Sequence, residues 1–354
     1  MSSHPIEDIT SSEIASLLGL KHIEIIDRDL ILKNSSTKKI EHIKWRENSE
    51  AAIKEVFIKY GTTPSFIKEI LFYDALSKPV RKFIPQLTSY QFNPERYIMI
   101  LEWINGENPD LSNHHIVKKV FRNLGFFAAC FENPILRFRN GKIKGLLREK
   151  SRYGMNEAKG LVNNLFEKQT ICDNLIELGE FRKIKEDTIK NIGGEKLLLF
   201  LERLQNGWID HIVNTIYYMP LTIHPGDVSK FNMLIRNSNN GTVFFDFENM
   251  KITPMCQLME YIGEKDIHVP PEQLSKLALK SYLNGWNSKS KNKINWNKFY
   301  NSYIYTRIYY KCYLLSWWLK REGTKGDPGI EWISQHVNDL SALVDMADTP
   351  PPKK

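Results

Sequence analysis

The sequence predicts an α+β fold in two lobes, a small antiparallel β-rich lobe first and a larger, mainly helical lobe after it. Two observations support this. Short runs rich in β-branched and aromatic residues, separated by polar turns, fill most of the first hundred residues. Beyond residue 110, long segments carry apolar residues at i, i+3 and i+4, the spacing of one helix face. With 354 residues, 42% of them hydrophobic, the chain can fill the core of both lobes.

The N-terminal lobe, residues 1–104, is predicted from its turns and apolar patterns. The first segment, "DITSSEIASLLG", is typical of a capped helix that ends near Gly19. Three β-rich runs between residues 22 and 61 then predict an antiparallel meander. A helix follows in "PSFIKEILFYDALSK", where Pro64 suits the first helical turn. Two further strands are predicted in "FIPQLTSYQF" and "RYIMILEWI".

The C-terminal lobe is predicted to span residues 105–348 and to begin with a turn-rich hinge, "NGENPD". Helical spacing is clearest in "SNHHIVKKVFRNLGFFAACF", in "GGEKLLLFLERLQNGWIDHIVNTIYY" and in two long segments of the last third. The tail, residues 349–354, is predicted to be disordered. Since clefts between lobes commonly bind small molecules, we expect a small-molecule site near the hinge.

The composition narrows the class of protein. The formal net charge is +8, but Lys and Arg are dispersed among Asp and Glu, which favours a solubilising surface over a nucleic-acid partner. The four cysteines lie far apart, so neither a zinc site nor a disulfide framework is indicated. The first residues lack an apolar signal core, and no apolar run approaches the roughly 20 residues of a membrane span. We therefore expect a cytoplasmic protein with no membrane partner.

One stretch, "LTIHPGDVSKFNMLIRNSNNGTVFFDFENM" (Leu221–Met250), combines a predicted hairpin with metal-compatible side chains. A turn centred on Asn239 would place Asn232 directly opposite Asp246, with both side chains on the same face. Amide and carboxylate oxygens are ligands that Mg²⁺ prefers. A further carboxylate, Asp227, comes five residues before Asn232. The alternative is that all three are ordinary turn and strand-end residues.

The same three residues have a rationale in phosphoryl transfer. Asp227 would orient the attacking hydroxyl group and accept its proton, while Asn232 and Asp246 would hold Mg²⁺ against the nucleotide phosphates. Positioning and charge neutralisation carry most of the catalysis in such reactions, so the protein needs to contribute little else.

The N-terminal lobe offers the other residues that such a site requires. A lysine on the third strand is needed to contact the phosphates, and a glutamate on the following helix is needed to hold that lysine. Lys59 follows the apolar residues "VFI", which favours a buried position, and Glu69 lies on the predicted helix. Other candidates stand in the same segments, namely Lys54, Glu55 and Lys68.

The hinge and the first loop are weaker candidates for nucleotide contacts. Backbone groups of Glu102 and Ile104 would meet an adenine edge, although a central strand followed by a turn explains this segment equally well. The loop "KNSSTKK" contains no glycine, but Ser35 and Ser36 would donate hydrogen bonds to phosphates.

Taken together, these motifs resemble the aminoglycoside phosphotransferase and choline kinase-like family, small-molecule kinases with a protein-kinase-like fold. The resemblance covers about residues 22–260 and rests on motifs that stand in the family's order. They are "FIKYG", "EILFYDAL", "MILEWINGE", "HPGDVSKFNMLI" and "VFFDFEN". The resemblance implies an ATP- and Mg²⁺-dependent kinase that phosphorylates a hydroxyl group. Its roles would be catalytic aspartate for Asp227, metal ligands for Asn232 and Asp246, and phosphate lysine with its partner for Lys59 and Glu69.

Two departures from the family pattern stand out. Pro225 occupies the position where the family usually has His, and His224 is displaced by one residue. The Asp-Leu pair often found downstream is missing, and Glu260 is the nearest acidic residue. Every residue type that the chemistry requires is nevertheless present. A non-catalytic nucleotide-binding protein on the same fold is the alternative, and a basic nucleic-acid-binding protein, recognisable by salt-sensitive binding, is a third hypothesis.

The acceptor is left open by the sequence. An aminoglycoside or another antibiotic is one candidate, which would make the protein a resistance kinase, and choline, a sugar or an amino acid are the others. Acidic side chains that would suit a cationic acceptor are Glu260, Glu264, Asp266 and Glu272. An aromatic stripe, Tyr303, Tyr310 and Trp317, is either core packing or a cation–π wall for a quaternary amine.

Overall fold

The computed structural model describes residues 7–32, 38–47, 52–62, 66–76, 78–92, 96–132, 168–264 and 268–348, and every structural statement below concerns these residues. They form two compact units. The first unit joins the chain up to Asp110 with the segment Pro225–Met250. The second joins the segment that starts at Leu111 with the chain up to His224 and the chain from Lys251 onward. The boundary predicted between residues 104 and 105 stays a prediction.

A short capped helix begins the first unit. Helix α1 (Ser11–Leu17) starts with a capping box, in which Thr10 and Glu13 satisfy each other's backbone N–H groups. The chain leaves the helix through Gly19, whose φ of +72° lies in the left-handed region that favours glycine. The predicted helix and its end near Gly19 are therefore confirmed. Ile14 of this helix is fully buried against the sheet described next.

A five-stranded antiparallel sheet forms most of the first unit, as predicted. Its strands are β1 (Glu24–Leu32), β2 (Lys38–Arg46), β3 (Lys54–Gly61), β4 (Leu87–Phe92) and β5 (Tyr97–Glu102), in the spatial order β1-β2-β3-β5-β4. Alternation along β3 separates two faces: Ile58 and Tyr60 are buried in the core with α1, while Phe57 and Lys59 face the other side. Strand β4 begins later than predicted, since a 3₁₀ turn (Lys78–Phe83) precedes it.

Helix α2 (Phe66–Leu71) follows strand β3 and continues as a π-helical turn (Phe72–Leu76). Phe72 of that turn stacks on Phe247 with a ring-centroid distance of 3.8 Å. Because Phe247 follows the predicted metal hairpin, this aromatic contact packs the end of the hairpin against the π-helical turn that continues α2.

A second sheet of three short strands contains the hairpin itself. Strand β6 (Gly106–Glu107) pairs with β8 (Met233–Arg236), which pairs with β9 (Thr242–Phe244). The segment predicted only as a hinge thus also supplies a strand. Gly106 is required there, because a Cβ atom at this position would lie 2.4 Å from the carbonyl oxygen of Ile235.

The predicted register of the hairpin is wrong by one residue. Ile235 pairs with Thr242, and the same register brings Asn232 opposite Phe245, whose N–H donates to the Asn232 carbonyl oxygen at 3.1 Å. The reason is the turn. Gly241 already belongs to the paired strands, since its carbonyl oxygen accepts from the N–H of Arg236 at 2.9 Å, so the turn is one residue shorter than predicted. Left-handed Asn240, with φ of +56°, closes it.

The second unit is mainly helical, as predicted. Its helices are α3 (His114–Ala129), α4 (Lys168–Ile184), α5 (Glu186–Arg203), α6 (Ile209–Tyr217), α7 (Glu272–Lys289), α8 (Trp296–Leu319) and α9 (Ile330–Asp348). Strands β7 (Leu221–His224) and β10 (Lys251–Pro254) pair antiparallel beside them. The backbones of helices α3 and α7 touch, because each helix has a glycine at the contact, Gly125 and Gly285. A Cβ atom would not fit at either position. The predicted α+β fold class is confirmed.

Among the described helices, none combines the length and the apolar character that crossing a membrane requires.

Candidate active site

Lys59 and Glu69 form a buried ion pair, as the predicted roles require. The Lys59 Nζ lies 2.5 Å from the Glu69 Oε2, and the two side chains are each 2% exposed. The other carboxylate oxygen of Glu69 accepts the backbone N–H of Phe247 at 3.2 Å. Glu69 therefore links the third strand, helix α2 and the end of the hairpin through a single carboxylate.

Asp246 and Glu248 complete a group of three carboxylates around Lys59. The Nζ of Lys59 lies 2.6 Å from the Asp246 Oδ1 and 3.2 Å from the Glu248 Oε2. Asp246 has a left-handed backbone, with φ of +63°, a conformation uncommon outside glycine and found at functional sites. This backbone turn separates Asp246 from strand β9 and directs the chain back toward Lys59.

Burial and the neighbouring charges both change the pKa values of Lys59 and Glu69. Burial opposes the charged form of Lys59, but Glu69, Asp246 and Glu248 outweigh it, so the pKa of the ammonium is raised above its usual value. Burial also raises the pKa of the Glu69 carboxyl, and repulsion by Asp246 and Glu248 adds to it against the attraction of Lys59. The raised pKa of Lys59 thus reflects the surrounding carboxylates, whereas the raised pKa of Glu69 reflects burial first.

Asp227, the predicted catalytic aspartate, is held in a fixed orientation by its own loop. Its Oδ1 accepts the backbone N–H of Ser229 at 2.9 Å, and its Oδ2 accepts the side-chain amide of Asn232 at 3.0 Å. The Ser229 hydroxyl donates to the same Oδ2 at 3.2 Å. Since the Asn232 nitrogen is engaged in this way, the amide oxygen is the atom that Asn232 presents elsewhere.

Backbone geometry and burial restrict two of the residues just before Asp227. Gly226 has φ of +116°, and a Cβ atom there would lie 2.6 Å from the Cβ of Asn249, so only glycine fits. His224 is fully buried at the end of β7, and this burial holds the pKa of its imidazole well below the usual value. The histidine is thus a neutral residue of the second unit's core, one position away from Pro225.

A cavity of about 170 Å³ in the first unit opens next to Lys59. Most of its walls are apolar, supplied by Ile31, Ile40, Phe57, Leu234 and Phe245, with Lys59, Glu69, Asn232 and Asp246 among the polar lining residues. Apolar walls with a few polar groups are typical of small-molecule pockets. The structure therefore brings Asn232 and Asp246 to one cavity, although they are not opposite each other in the hairpin.

The predicted adenine-contacting residues also line this cavity. Glu102 and Ile104 both contribute to its wall, with Trp103 between them stacked on His42 at a centroid distance of 3.7 Å. The backbone N–H of Glu102 donates to Gln86 at 2.8 Å, so it is already used. Its carboxylate forms a two-point salt bridge with Arg236 at 2.7 and 3.2 Å, which lowers its pKa against the effect of burial.

Mg²⁺ is the metal that the predicted chemistry implies, and the donor set fits it. Oxygen atoms of Glu69, Asp246 and Glu248 all lie within 4.8 Å of one another, and Asn232 adds an amide oxygen at the same cavity. These are hard oxygen ligands, and their combined negative charge exceeds that of the lysine among them.

Two residues of this group, Glu248 and Lys38, were not found by sequence reasoning as site residues. Glu248 belongs to the motif "VFFDFEN" on which the resemblance rests, but no role was predicted for it. Lys38 lies at the first position of β2, and its Nζ is 2.8 Å from the Glu248 Oε2. The predicted Ser35 and Ser36 fall outside the described residues.

The candidate acceptor residues lie in the second unit. Tyr303 is buried and donates its hydroxyl to the carbonyl oxygen of Ile262 at 2.5 Å, while Trp317 packs on Trp332. These contacts favour the packing interpretation of the aromatic stripe. Glu264 forms salt bridges with Arg307 and Lys311, and Asp266 falls outside the described residues.

A buried lysine–glutamate pair, an aspartate that returns to the same lysine after a hairpin, and an Asp-x₄-Asn loop are features of a protein-kinase-like fold. No protein-family model matches the sequence, and no curated protein matches it. Solved structures do match, and they show that the chain has the fold of small-molecule kinases.

Three of these structures give the extent of the likeness. An ethanolamine kinase of Plasmodium vivax is 14% identical with a TM-score of 0.54, over 90% of this chain and 82% of that one. A choline kinase of Cryptosporidium parvum is 15% identical with a TM-score of 0.52, over 94% and 91%. A thermostable mutant of an aminoglycoside phosphotransferase, in a ternary complex with AMP-PNP and hygromycin B, is 11% identical with a TM-score of 0.51, over 96% and 100%. The resemblance predicted from the motifs is confirmed for the fold.

Proposed function

We propose that this protein is an ATP- and Mg²⁺-dependent phosphotransferase of the aminoglycoside phosphotransferase and choline kinase-like family, which phosphorylates a hydroxyl group of a small molecule. The observation that carries this proposal is the position of Lys59. Its ammonium group is held by Glu69 and Asp246 at the wall of an apolar cavity, where it can meet a nucleotide's phosphates.

The nucleotide would bind with its adenine ring among the apolar walls of the cavity. Phe57, Ile40 and Leu234 line it, and the segment from Glu102 to Ile104 runs along it, so aliphatic and aromatic surfaces are available to the ring. The phosphates would extend toward Lys59, whose retention by Glu69 fixes the ammonium in place. The salt bridge of Glu102 with Arg236 keeps the segment in position.

Proton transfer would fall to Asp227. As the acceptor's hydroxyl oxygen bonds to the γ-phosphorus atom and the bond to ADP breaks, the hydroxyl proton passes to a carboxylate oxygen of Asp227. Ser229 and Asn232 hold that carboxylate in one orientation before the reaction. Mg²⁺, held by Asn232 and Asp246, would neutralise charge on the phosphates.

The acceptor is proposed only as a class. The structural neighbours named above act on ethanolamine, choline or aminoglycosides according to their names, and at 11–15% identity these substrates are candidates alone. A screen of ATP consumption over aminoglycosides, other hydroxylated antibiotics, choline, ethanolamine, sugars and amino acids would identify the acceptor. ATP binding without turnover on any of them would favour the non-catalytic alternative.

Substitution of Asp227 tests the assigned roles. Asp227→Asn keeps the shape of the side chain but removes the proton acceptor, so we expect phosphate transfer to fall by about 10²–10⁴-fold while the fold and ATP binding persist. The matched control is Asp210→Ala, an exposed carboxylate on α6, which should leave the rate unchanged. Full activity of Asp227→Asn with the identified acceptor would refute the role of Asp227.

A further inference from the structure

Lys38 is a second lysine next to the candidate phosphate site. Its Nζ lies 2.8 Å from the Glu248 Oε2, the same oxygen atom that lies 3.2 Å from the Nζ of Lys59. Two ammonium groups thus share one carboxylate oxygen. The Lys38 side chain is 20% exposed whereas that of Lys59 is 2% exposed, so Lys38 is the lysine on the solvent side of the shared carboxylate.

The register of the sheet places both lysines on the same face. Lys38 of β2 pairs with Gly61 of β3, and Ile40 pairs with Lys59, so alternate residues of β2 share the face of Lys59. Lys39 has the opposite orientation, and its ammonium group contacts the carboxylate of Asp8. Adjacent lysines of one strand therefore point to two different places, and only Lys38 points to the site.

The contacts of Lys59 favour a role for Lys38 in binding phosphate. Glu69, Asp246 and Glu248 surround Lys59 and engage its ammonium group in three contacts, so a polyphosphate would share Lys59 with these carboxylates. The sequence "KNSST" between β1 and β2 contains no glycine, the residue that allows backbone amides to approach phosphates closely. A lysine binds phosphate as a compact point charge and needs no such backbone.

We infer that Lys38 is a second cationic contact for the phosphate groups of the bound nucleotide, kept at the site by Glu248 until a phosphate takes its place. This inference rests on the proposed function and adds to it a residue that determines specificity for phosphorylated nucleotides. Because Lys38 is partly exposed, exchanging one anionic partner for another requires only a side-chain rotation.

The test compares ATP and adenosine binding, measured by calorimetry without turnover. In Lys38→Ala, we expect ATP to bind about 10–100-fold more weakly, the range for a lost hydrogen bond between charged groups, and adenosine to bind as in the wild type. Lys38→Arg should restore most of the ATP affinity. Lys39→Ala is the matched control from the other face of the same strand and should bind both ligands as the wild type does.

The possible outcomes separate this inference from the proposed function. If the wild type binds ATP and Lys38→Ala binds it equally well, Lys38 is a structural partner of Glu248 and the inference is overturned while the proposed function stands. An equal loss for ATP and adenosine would overturn it too, since the substitution would then have damaged the pocket. If the wild type binds no ATP with or without Mg²⁺, the proposed function fails, and the inference fails with it.

Discussion

The two compact units each contain a lysine that is almost completely removed from solvent, and the two lysines differ in their surroundings. Lys59 in the first unit is 2% exposed and contacts three carboxylates. Lys311 in the second unit, on helix α8, has no exposed side-chain surface. Its Nζ donates at 2.8 Å to each of three acceptors, which are Glu264, Asp339 and the His336 imidazole.

Charge balance distinguishes the two clusters. Around Lys311, two carboxylates face two cations, because Arg307 also donates to Glu264 at 2.6 Å, and the third acceptor of Lys311 is a neutral ring. Around Lys59, three carboxylates, those of Glu69, Asp246 and Glu248, contact its ammonium group, and Lys38 contacts Glu248 as well. In these contacts, the Lys311 cluster has two carboxylates against two cations, whereas the Lys59 cluster has three carboxylates against two lysines.

The lesson is that burial of a lysine among carboxylates does not by itself indicate a functional site. Asp246 and Asp339 are equally exposed, at 32% and 30%, so accessibility of the partner does not separate them either. What distinguishes the Lys59 cluster is its third carboxylate, the left-handed backbone of Asp246 and the adjoining apolar cavity. We therefore expect substitution of Lys311 to affect mainly the stability of the protein, and substitution of Lys59 to affect mainly its activity.

The first prediction concerns stability and Lys311. Lys311→Met keeps the aliphatic chain but leaves Asp339 without its cation, so we expect the free energy of unfolding to fall by about 3 kcal/mol in chemical denaturation. Adding Asp339→Asn in the same chain should recover part of this loss, because the unpaired charge is removed. A loss below about 1 kcal/mol for Lys311→Met would show that the cluster contributes little to stability.

The second prediction concerns activity and Lys59. Lys59→Met should lower kcat/KM for phosphate transfer by about 10²–10³-fold, since the ammonium group that would contact the phosphates is lost. The same substitution at Lys311 serves as the control. Measured per folded molecule at low temperature, Lys311→Met should keep kcat/KM within a few fold of the wild type. Equal losses in the two variants would contradict the distinction between the clusters.

The third prediction, with the smallest effect, concerns pH and His336. Burial and the nearby Lys311 hold the pKa of the His336 imidazole below its usual value, so the folded state binds fewer protons than the unfolded state. Stability from this residue is thus present above the unfolded pKa of about 6.5 and is lost as pH falls toward the lower folded pKa. Fully buried His224 acts in the same direction.

We therefore expect the free energy of unfolding to decrease from pH 7.5 to pH 5.5. His336→Gln retains an oxygen that can accept from Lys311 but does not titrate, so it should reduce this decrease by less than about 1 kcal/mol. A stability that is independent of pH in the wild type over this interval would contradict the assignment of neutral histidines in the fold.

Much of the first unit could be predicted from the sequence because its signals are local. The capping box at Thr10, the alternation along β3 and the apolar residues before Lys59 each report on a few neighbouring residues. The pairing of Lys59 with Glu69 followed from placing one on a strand and the other on the next helix. These contacts span only ten residues of sequence.

The remaining features depend on geometry that no local pattern encodes. The predicted hairpin register was wrong because Gly241 can either belong to the turn or pair with Arg236, and the sequence alone does not decide between these two arrangements. The partnership of Lys38 with Glu248 crosses 210 positions of sequence and follows from how the sheet and the hairpin exit pack within the first unit. Neither spacing nor periodicity marks such a pair.

The hydrogen bond between Asn232 and Asp227 explains why an amide suits this position better than a carboxylate. An aspartate at position 232 would still offer an oxygen to a metal, but it would place two like charges about 3.0 Å apart, where the amide now donates to Asp227. One of them would then retain a proton near neutral pH. An amide does not titrate, so Asn232 donates to the Asp227 carboxylate without adding a second ionisable group beside it.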